Sequence, residues 1–134
     1  MQRHPALRSL SSDHHSGLVL ARKARQAANG DAHDQAHIWS KVVNRFEVEL
    51  EPQHFRLEEE VLLPAMQLAG ETALVERTLI EHAALRRPIA DDQTENLARF
   101  ADLLTAHIRF EEKELFERAQ QLLDLDELTK LLNE

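Results

Sequence analysis

Residues 54–67 read HFRLEEEVLLPAMQ, and residues 107–120 read HIRFEEKELFERAQ. The second stretch, 53 residues further on, keeps the His, the Arg, two Glu, a Leu and the Gln in register. It also exchanges apolar for apolar, with Ile108 for Phe55, Phe110 for Leu57 and Phe116 for Leu63. Residues four apart on a helix differ by roughly 40° in azimuth and about 6 Å in height. His54 and Glu58 therefore share one helix face, as do His107 and Glu111. Phe46, Leu50, Val61 and Leu62 surround the first pair at helical spacing. Phe100, Leu103, Leu104 and Leu115 surround the second. Each copy thus aims a His and a Glu into an apolar interior. An unpaired buried carboxylate costs several kcal/mol, so this arrangement needs a partner that offsets the charge.

The rest of the chain supplies an all-helical setting. Its 134 residues suit one domain, expected over 1–134 with a core at about 10–123. Hydrophobic residues make up 43%, and glycine and proline number only 3 and 4. Helix formers are frequent and strand formers scarce. Helix A is expected from Ser11 or Ser12, with a hydroxyl as N-cap, to Asn29-Gly30. Helix B runs from Asp31–Asp34 through Trp39, Val42, Val43, Phe46 and Leu50. Pro52 marks a kink or bulge in it, Pro64 a bend or end, and Gly70 closes it. Helix C starts near Thr72 and ends or bends at Pro88. Helix D starts near Thr94 as N-cap. DELTKLLNE forms a short last helix. The short connections predict an all-α, up-down-up-down four-helix bundle with a short C-terminal helix.

Helices A and C add histidines of their own. His82 lies with Val75, Leu79, Leu85 and Ile89 near its face, so it points inward. His14 has Gly17, Leu20, Ala21 and Ala24 at helical spacing, which favours it over His15 as the inward residue of helix A; His15 stays as the alternative. His14, His54, Glu58, His82, His107 and Glu111 then converge on the bundle axis. Four imidazoles and two carboxylates form a ligand set suited to iron, manganese or zinc. With both carboxylates bridging, the count fits two ions. Glu59, Glu60, Glu81 and Glu112 read as outer charges or as acceptors behind the histidines. His33 and His37 read as exposed, and His4 as part of a mobile tail.

Composition excludes several classes. A net charge of −8 disfavours nucleic acid and anionic membrane as partners. There is no cysteine, and hence no disulfide or thiolate metal site, and no tyrosine for radical chemistry. No apolar run suits a signal peptide or a membrane span, so a cytoplasmic location is expected.

The ordered pattern of Asp13-His14-His15, HFRLEEEVLLP, EHAALRR and HIRFEEKELF resembles the hemerythrin-like, or HHE cation-binding, domain family over about residues 10–123. The resemblance implies a four-helix bundle around two non-haem iron ions with an oxo or hydroxo bridge, iron being favoured over manganese or zinc. It implies that His14, His54, His82 and His107 are terminal ligands and that Glu58 and Glu111 bridge. It also implies a small ligand such as O2, NO or peroxide, bound for sensing, storage or stress response; without cysteine as a built-in thiol reductant, an external electron donor is expected. The alternatives within the family are turnover of peroxide or NO, or an iron-handling, iron–sulfur repair or regulatory role. The chain departs from the oxygen carriers in two places. Arg86 stands where their fifth histidine lies. The second carboxylate is Glu111 at His+4, where the carriers have Asp one position later.

Overall fold

A computed structural model of the chain describes residues 3–132, and no strand occurs among them. Helix α1 spans Pro5–Ala28. Helix α2 runs over residues 32–68, α-helical at Ala32–Arg45 and Leu63–Leu68 with π-helical turns at Phe46–Phe55 and Glu58–Leu62 between them. Helix α3 spans Thr72–Asp91. A 3₁₀ turn at Thr94–Asn96 leads into α4, residues 97–122, which has its own π-helical turn at Glu111–Leu115. The short α5 spans Leu125–Leu132; Asn133 and Glu134 of the expected last helix lie outside the described residues. No described helix is long and apolar enough to cross a membrane.

The ends follow local chemistry, with some differences from expectation. Helix α1 begins six residues before Ser11, because Pro5 fits the first turn and the His4 ring nitrogen Nδ1 accepts from the Ala6 N–H at 3.0 Å. His4 is therefore a cap rather than part of a loose tail, and its own N–H donates to Gln120 Oε1 at 2.9 Å. The Ser11 hydroxyl, freed from capping, donates to Glu112 Oε2 at 2.7 Å. Asp31 caps α2 by accepting from the Asp34 N–H at 2.8 Å. Pro52 lies within the first π-helical turn, as a bulge at that residue requires. Pro64 neither ends nor breaks α2, since it sits in the first turn of the α-helical stretch that follows the second π turn. Helix α3 likewise passes Pro88 and stops at Asp92, whose φ of 52° is left-handed and whose N–H returns to the Pro88 carbonyl. The Thr94 side chain makes no cap; the 3₁₀ turn is closed by the Asn96 N–H on the Gln93 carbonyl.

The apolar interior falls into two clusters. One gathers Leu20, Ala24, Trp39, Phe46, Leu85 and Phe100 among others. The other gathers Leu7, Leu10, Leu62, Met66, Val75 and Phe116 among others. On every long helix the candidate ligands fall at the changeover. Helix α1 passes from the second cluster through His14 to the first, and α2 from the first through His54 and Glu58 to the second. Helix α3 passes from the second through His82 to the first, and α4 back through His107 and Glu111. A fully buried Phe or Leu contributes about 1.5–3 kcal/mol, so apolar layers on both sides can carry a polar layer between them. Leu79, expected inward, is 42% exposed, and the fully buried Thr78 takes the inner position, its hydroxyl donating to the Leu74 carbonyl. Helices α1 and α4 approach closely: a Cβ on Gly17 would lie 2.8 Å from Ile108 Cδ1, one turn from His14.

Candidate metal centre

The structure brings His14, His54, Glu58, His82, His107 and Glu111 together in one cluster, each no more than 4% exposed. His14 is buried and His15 exposed, so His14 is the inward histidine of α1, and His33 and His37 are exposed as expected. The donor atoms form two overlapping groups that could each hold a metal ion. One is His14, His54, Glu58 and Glu111; the other is His82, His107, Glu58 and Glu111. Within each group the donors lie within 4.8 Å of one another.

The glutamates belong to both groups, with one oxygen turned to each. Glu58 Oε2 lies 3.4 Å from His54 Nε2, and Glu58 Oε1 lies 3.0 Å from His82 Nε2. Glu111 Oε1 lies 2.7 Å from His14 Nε2, and Glu111 Oε2 lies 3.1 Å from His107 Nε2. The backbone shares this repeat. The Leu63 N–H donates to the Glu58 carbonyl and the Phe116 N–H to the Glu111 carbonyl, both five-residue steps. Each central glutamate thus opens a π-helical turn, a distortion frequent at functional sites.

Each histidine turns Nε2 inward and donates from Nδ1–H to a carboxylate behind it. The four bonds are His14 to Glu112 at 2.8 Å, His54 to Asp13 at 3.0 Å, His82 to Glu59 at 2.6 Å and His107 to Glu81 at 2.7 Å. These partners follow a rule. The residue just before the α1 or α3 histidine (Asp13, Glu81) serves the histidine of the next helix. The residue just after each central glutamate (Glu59, Glu112) serves a histidine of the other helix pair, α1–α2 or α3–α4. A carboxylate behind Nδ1 fixes the ring and its tautomer and leaves Nε2 as the donor to a metal. Phe55 stacks on His82 at 3.9 Å and Phe116 on His14 at 5.1 Å, holding the ring planes and excluding water.

Both nitrogens of these rings face carboxylates, and the electrostatics follow. Burial pulls the His107 ring down, but Glu111, Glu81 and Glu58 outweigh it and carry it up to about 10. His82 reaches about 9, burial being opposed by Glu111 and Glu58. His14 and His54 are raised for the same reason. Burial pushes Glu111 up, yet His107, His14 and His54 hold it well below the ordinary carboxylate range. Protons alone leave the cluster incomplete. Three buried side-chain atoms lack a hydrogen-bond partner among the described residues: Glu58 Oε2, His107 Nε2 and Glu111 Oε2. His107 Nε2 and Glu111 Oε2 are close in distance but not aligned for a hydrogen bond. All three atoms belong to the cluster and face its middle, where a cation would satisfy them. The residues therefore fit a metal.

Sequence reasoning read Glu59, Glu60, Glu81 and Glu112 as outer charges or acceptors; Glu59, Glu81 and Glu112 are acceptors, Glu60 is an exposed charge paired with Arg56, and Asp13 was left without a role. Its partner lies 41 residues away, and the only signal was its place before His14. The arginines behind the acceptors were also missed. Arg86 makes a bidentate pair with Glu51 at 2.7 Å on both bonds and reaches Glu59 at 2.8 Å. Arg77 holds Glu81 at 2.9 Å, and Arg3 approaches Glu112 at 3.4 Å.

A helical chain with a buried layer of four His and two shared Glu carries the donor set of a candidate metal site. A family model described as the hemerythrin HHE cation-binding domain matches residues 6–119, and the chain belongs to that family. No curated protein and no solved structure matches the chain.

Proposed function

We propose that the chain holds two metal ions, iron in the first place, and presents them to a small ligand such as O2, NO or peroxide. The reading rests above all on the division of each central carboxylate, with one oxygen of Glu58 and one of Glu111 on each histidine pair. In this role His14 and His54 hold one ion, His82 and His107 the other, and Glu58 and Glu111 bridge them. Each group then offers four donor atoms, fewer than the roughly six that non-haem iron accommodates. The bound pair supplies redox change and room for a small exogenous ligand. Phe55, Phe110, Phe116 and Ile108 keep bulk water from that room, and the four outer carboxylates keep each Nδ1 protonated and each Nε2 aimed inward.

The changeover between apolar clusters reverses from each long helix to the next. This alternation supports an up-down-up-down four-helix bundle forming a single domain with α5 appended. Without cysteine or tyrosine in the chain, electrons come from an external donor. The acidic balance supports a role away from nucleic acid and membranes, with the cytoplasm as its place.

Anaerobic reconstitution with ferrous iron, followed by a metal count and a near-UV spectrum with and without azide, tests the reading. The expected result is two iron ions per chain and an azide-sensitive charge-transfer band after oxidation. Fewer than about one iron per chain, with no such band, would sink it. His54→Ala and His107→Ala should each lower the count.

A further inference from the structure

The six donors are nearly sealed, so an ion needs a way in. Three of the four histidines are closed off from outside by a common device. Behind His82 stands Glu59, then Arg86 with its guanidinium 5.5 Å from the Phe55 ring centre. Behind His107 stands Glu81, then Arg77 at 3.9 Å from the Phe110 ring centre. Behind His14 stands Glu112, then Arg3 at 5.7 Å from the Phe116 ring centre. Each arginine neutralises the carboxylate and covers an aromatic wall of the site.

The His54 corner lacks this cover. No arginine pairs with Asp13 among the described residues, and the Asp13 side chain is 52% exposed, against 24–32% for Glu59, Glu81 and Glu112. Beside it lies a cavity of about 220 Å³, bounded by Asp13, Ser16 and Gly17 of α1 and by Arg45, Gln53 and His54 of α2. That is room for several waters at roughly 30 Å³ each, as a divalent ion shedding its hydration shell requires. Gln53 and His54 on the α2 wall belong to the π-helical turn around Pro52, and Arg45 lies just before it. Arg45 is ion-paired with Glu49, so its charge is compensated at the mouth.

The geometry points to this cavity as the route by which metal ions enter and leave the centre, with Asp13 as the carboxylate that receives them and His54 as the first ring they meet. The inference rests on the metal-centre reading above and goes beyond it by assigning a direction of loading. It makes His54 and Asp13 the gate, and the three arginine-covered corners the fixed walls.

The chain has no cysteine, so Ser16→Cys gives a unique thiol on the cavity wall by a single-atom change. The apo-protein is folded, checked by circular dichroism, and then capped with a bulky maleimide. Thr105→Cys, on a separate cavity of about 240 Å³ that touches no site histidine, is capped in the same way as a control. Anaerobic ferrous iron uptake is then followed by timed gel filtration and metal analysis, and release by a chelator. The expected result is at least ten-fold slower uptake and release for capped Ser16→Cys, an unchanged final iron count, and parental rates for capped Thr105→Cys. Gln53→Cys, capped on the opposite wall, should repeat the slowing, and it stands in if the first adduct disturbs the helices. Parental rates in a folded, capped Ser16→Cys or Gln53→Cys protein overturn the route while leaving the centre intact. Equal slowing in the Thr105→Cys control also overturns it, because loading then follows general opening of the helices. No uptake by any uncapped protein overturns the centre and the route together.

Discussion

The α1–α2 pair and the α3–α4 pair carry the same plan with one unequal member. Each has an acid followed by a histidine on its first helix, and a histidine followed by two glutamates on its second. In each, the leading acid backs the histidine of the second helix, and the second glutamate backs a histidine of the other pair. The unequal member is the leading acid. Glu81 is long enough to meet both His107 and Arg77, whereas Asp13, one methylene shorter, meets His54 alone and stays half exposed. A shared plan fixes where the six candidate donors converge. A single shorter side chain, with no arginine behind it, leaves one corner open. The repeat therefore builds the binding capacity, and its imperfection gives the centre a side.

The largest effects should come from the two central glutamates, which are equivalent in sequence and unequal in contacts. Glu111 lies within 3.8 Å of all four histidines, while Glu58 lies near His54 and His82. Glu111→Gln leaves several buried imidazolium rings without their counter-charge, which costs about 3–5 kcal/mol in the apo-protein. Glu58→Gln should cost less. Urea unfolding of the apo-proteins and metal analysis of the reconstituted ones read both effects. Both variants should fall from two metal ions to one or none. If Glu58→Gln proves the more damaging, the ranking by contacts is wrong.

Acidity should act on the apo-protein and on loading in opposite directions. His82 and His107 rise to about 9 and about 10 in the folded chain. A raised histidine stabilises fully below its unfolded value of about 6.5, and that stability is lost as pH climbs through the folded values. Glu111 is lowered, so its contribution holds above its unfolded value and fades as pH falls toward the folded one. The apo-protein should therefore melt highest near pH 5–6 and lose stability steadily between pH 7 and 10. Metal must displace the Nε2 protons, so its affinity should climb with pH over the same upper window. Thermal melts with and without metal from pH 5 to 10 check both slopes. A flat apo-protein profile above pH 7 would contradict the charged state assigned to these rings.

Much of this was legible in the sequence because it is local. The HxxxE spacing puts two donors on one helix face, and the apolar companions turn that face inward. What stayed hidden depends on contacts across the fold or on backbone register. The cap at His4 is completed by Gln120, 116 residues on, so the first turn looked like a tail. Ser11 looked like a cap because its true partner, Glu112, lies 101 residues away. The π turns at Glu58 and Glu111 carry no proline and change only which carbonyl each N–H meets, which composition does not record.

The acids behind the histidines should matter less than the ligands, and unequally. Losing such an acceptor typically lowers metal affinity 10–100-fold. Glu81→Gln should lie at the upper end, because it breaks a 2.7 Å bond to His107 and releases Arg77. Asp13→Asn should lie at the lower end, because its bond to His54 is longer and water can replace it. Competition with a chromophoric chelator measures both. Equal losses would mean that the two helix pairs bind with the same strength despite their different backing.

The smallest expected effect separates the charge of Arg86 from its shape. Its fork spans Glu51 and Glu59 at once, and only Glu59 touches a site histidine. Arg86→Lys keeps the positive charge and loses the bidentate geometry. If Arg86 acts by fixing the position of Glu59, the variant should lose a few-fold in metal affinity and about 1 kcal/mol in stability. If it acts by charge alone, it should lose almost nothing. Arg56→Gln, which breaks an exposed pair with Glu60 on the same helix, gives the background, expected within about 0.5 kcal/mol of the parent. A loss in Arg86→Lys above that background shows that the residue in the place of a fifth histidine works through Glu59 on His82, from outside the ring of ligands.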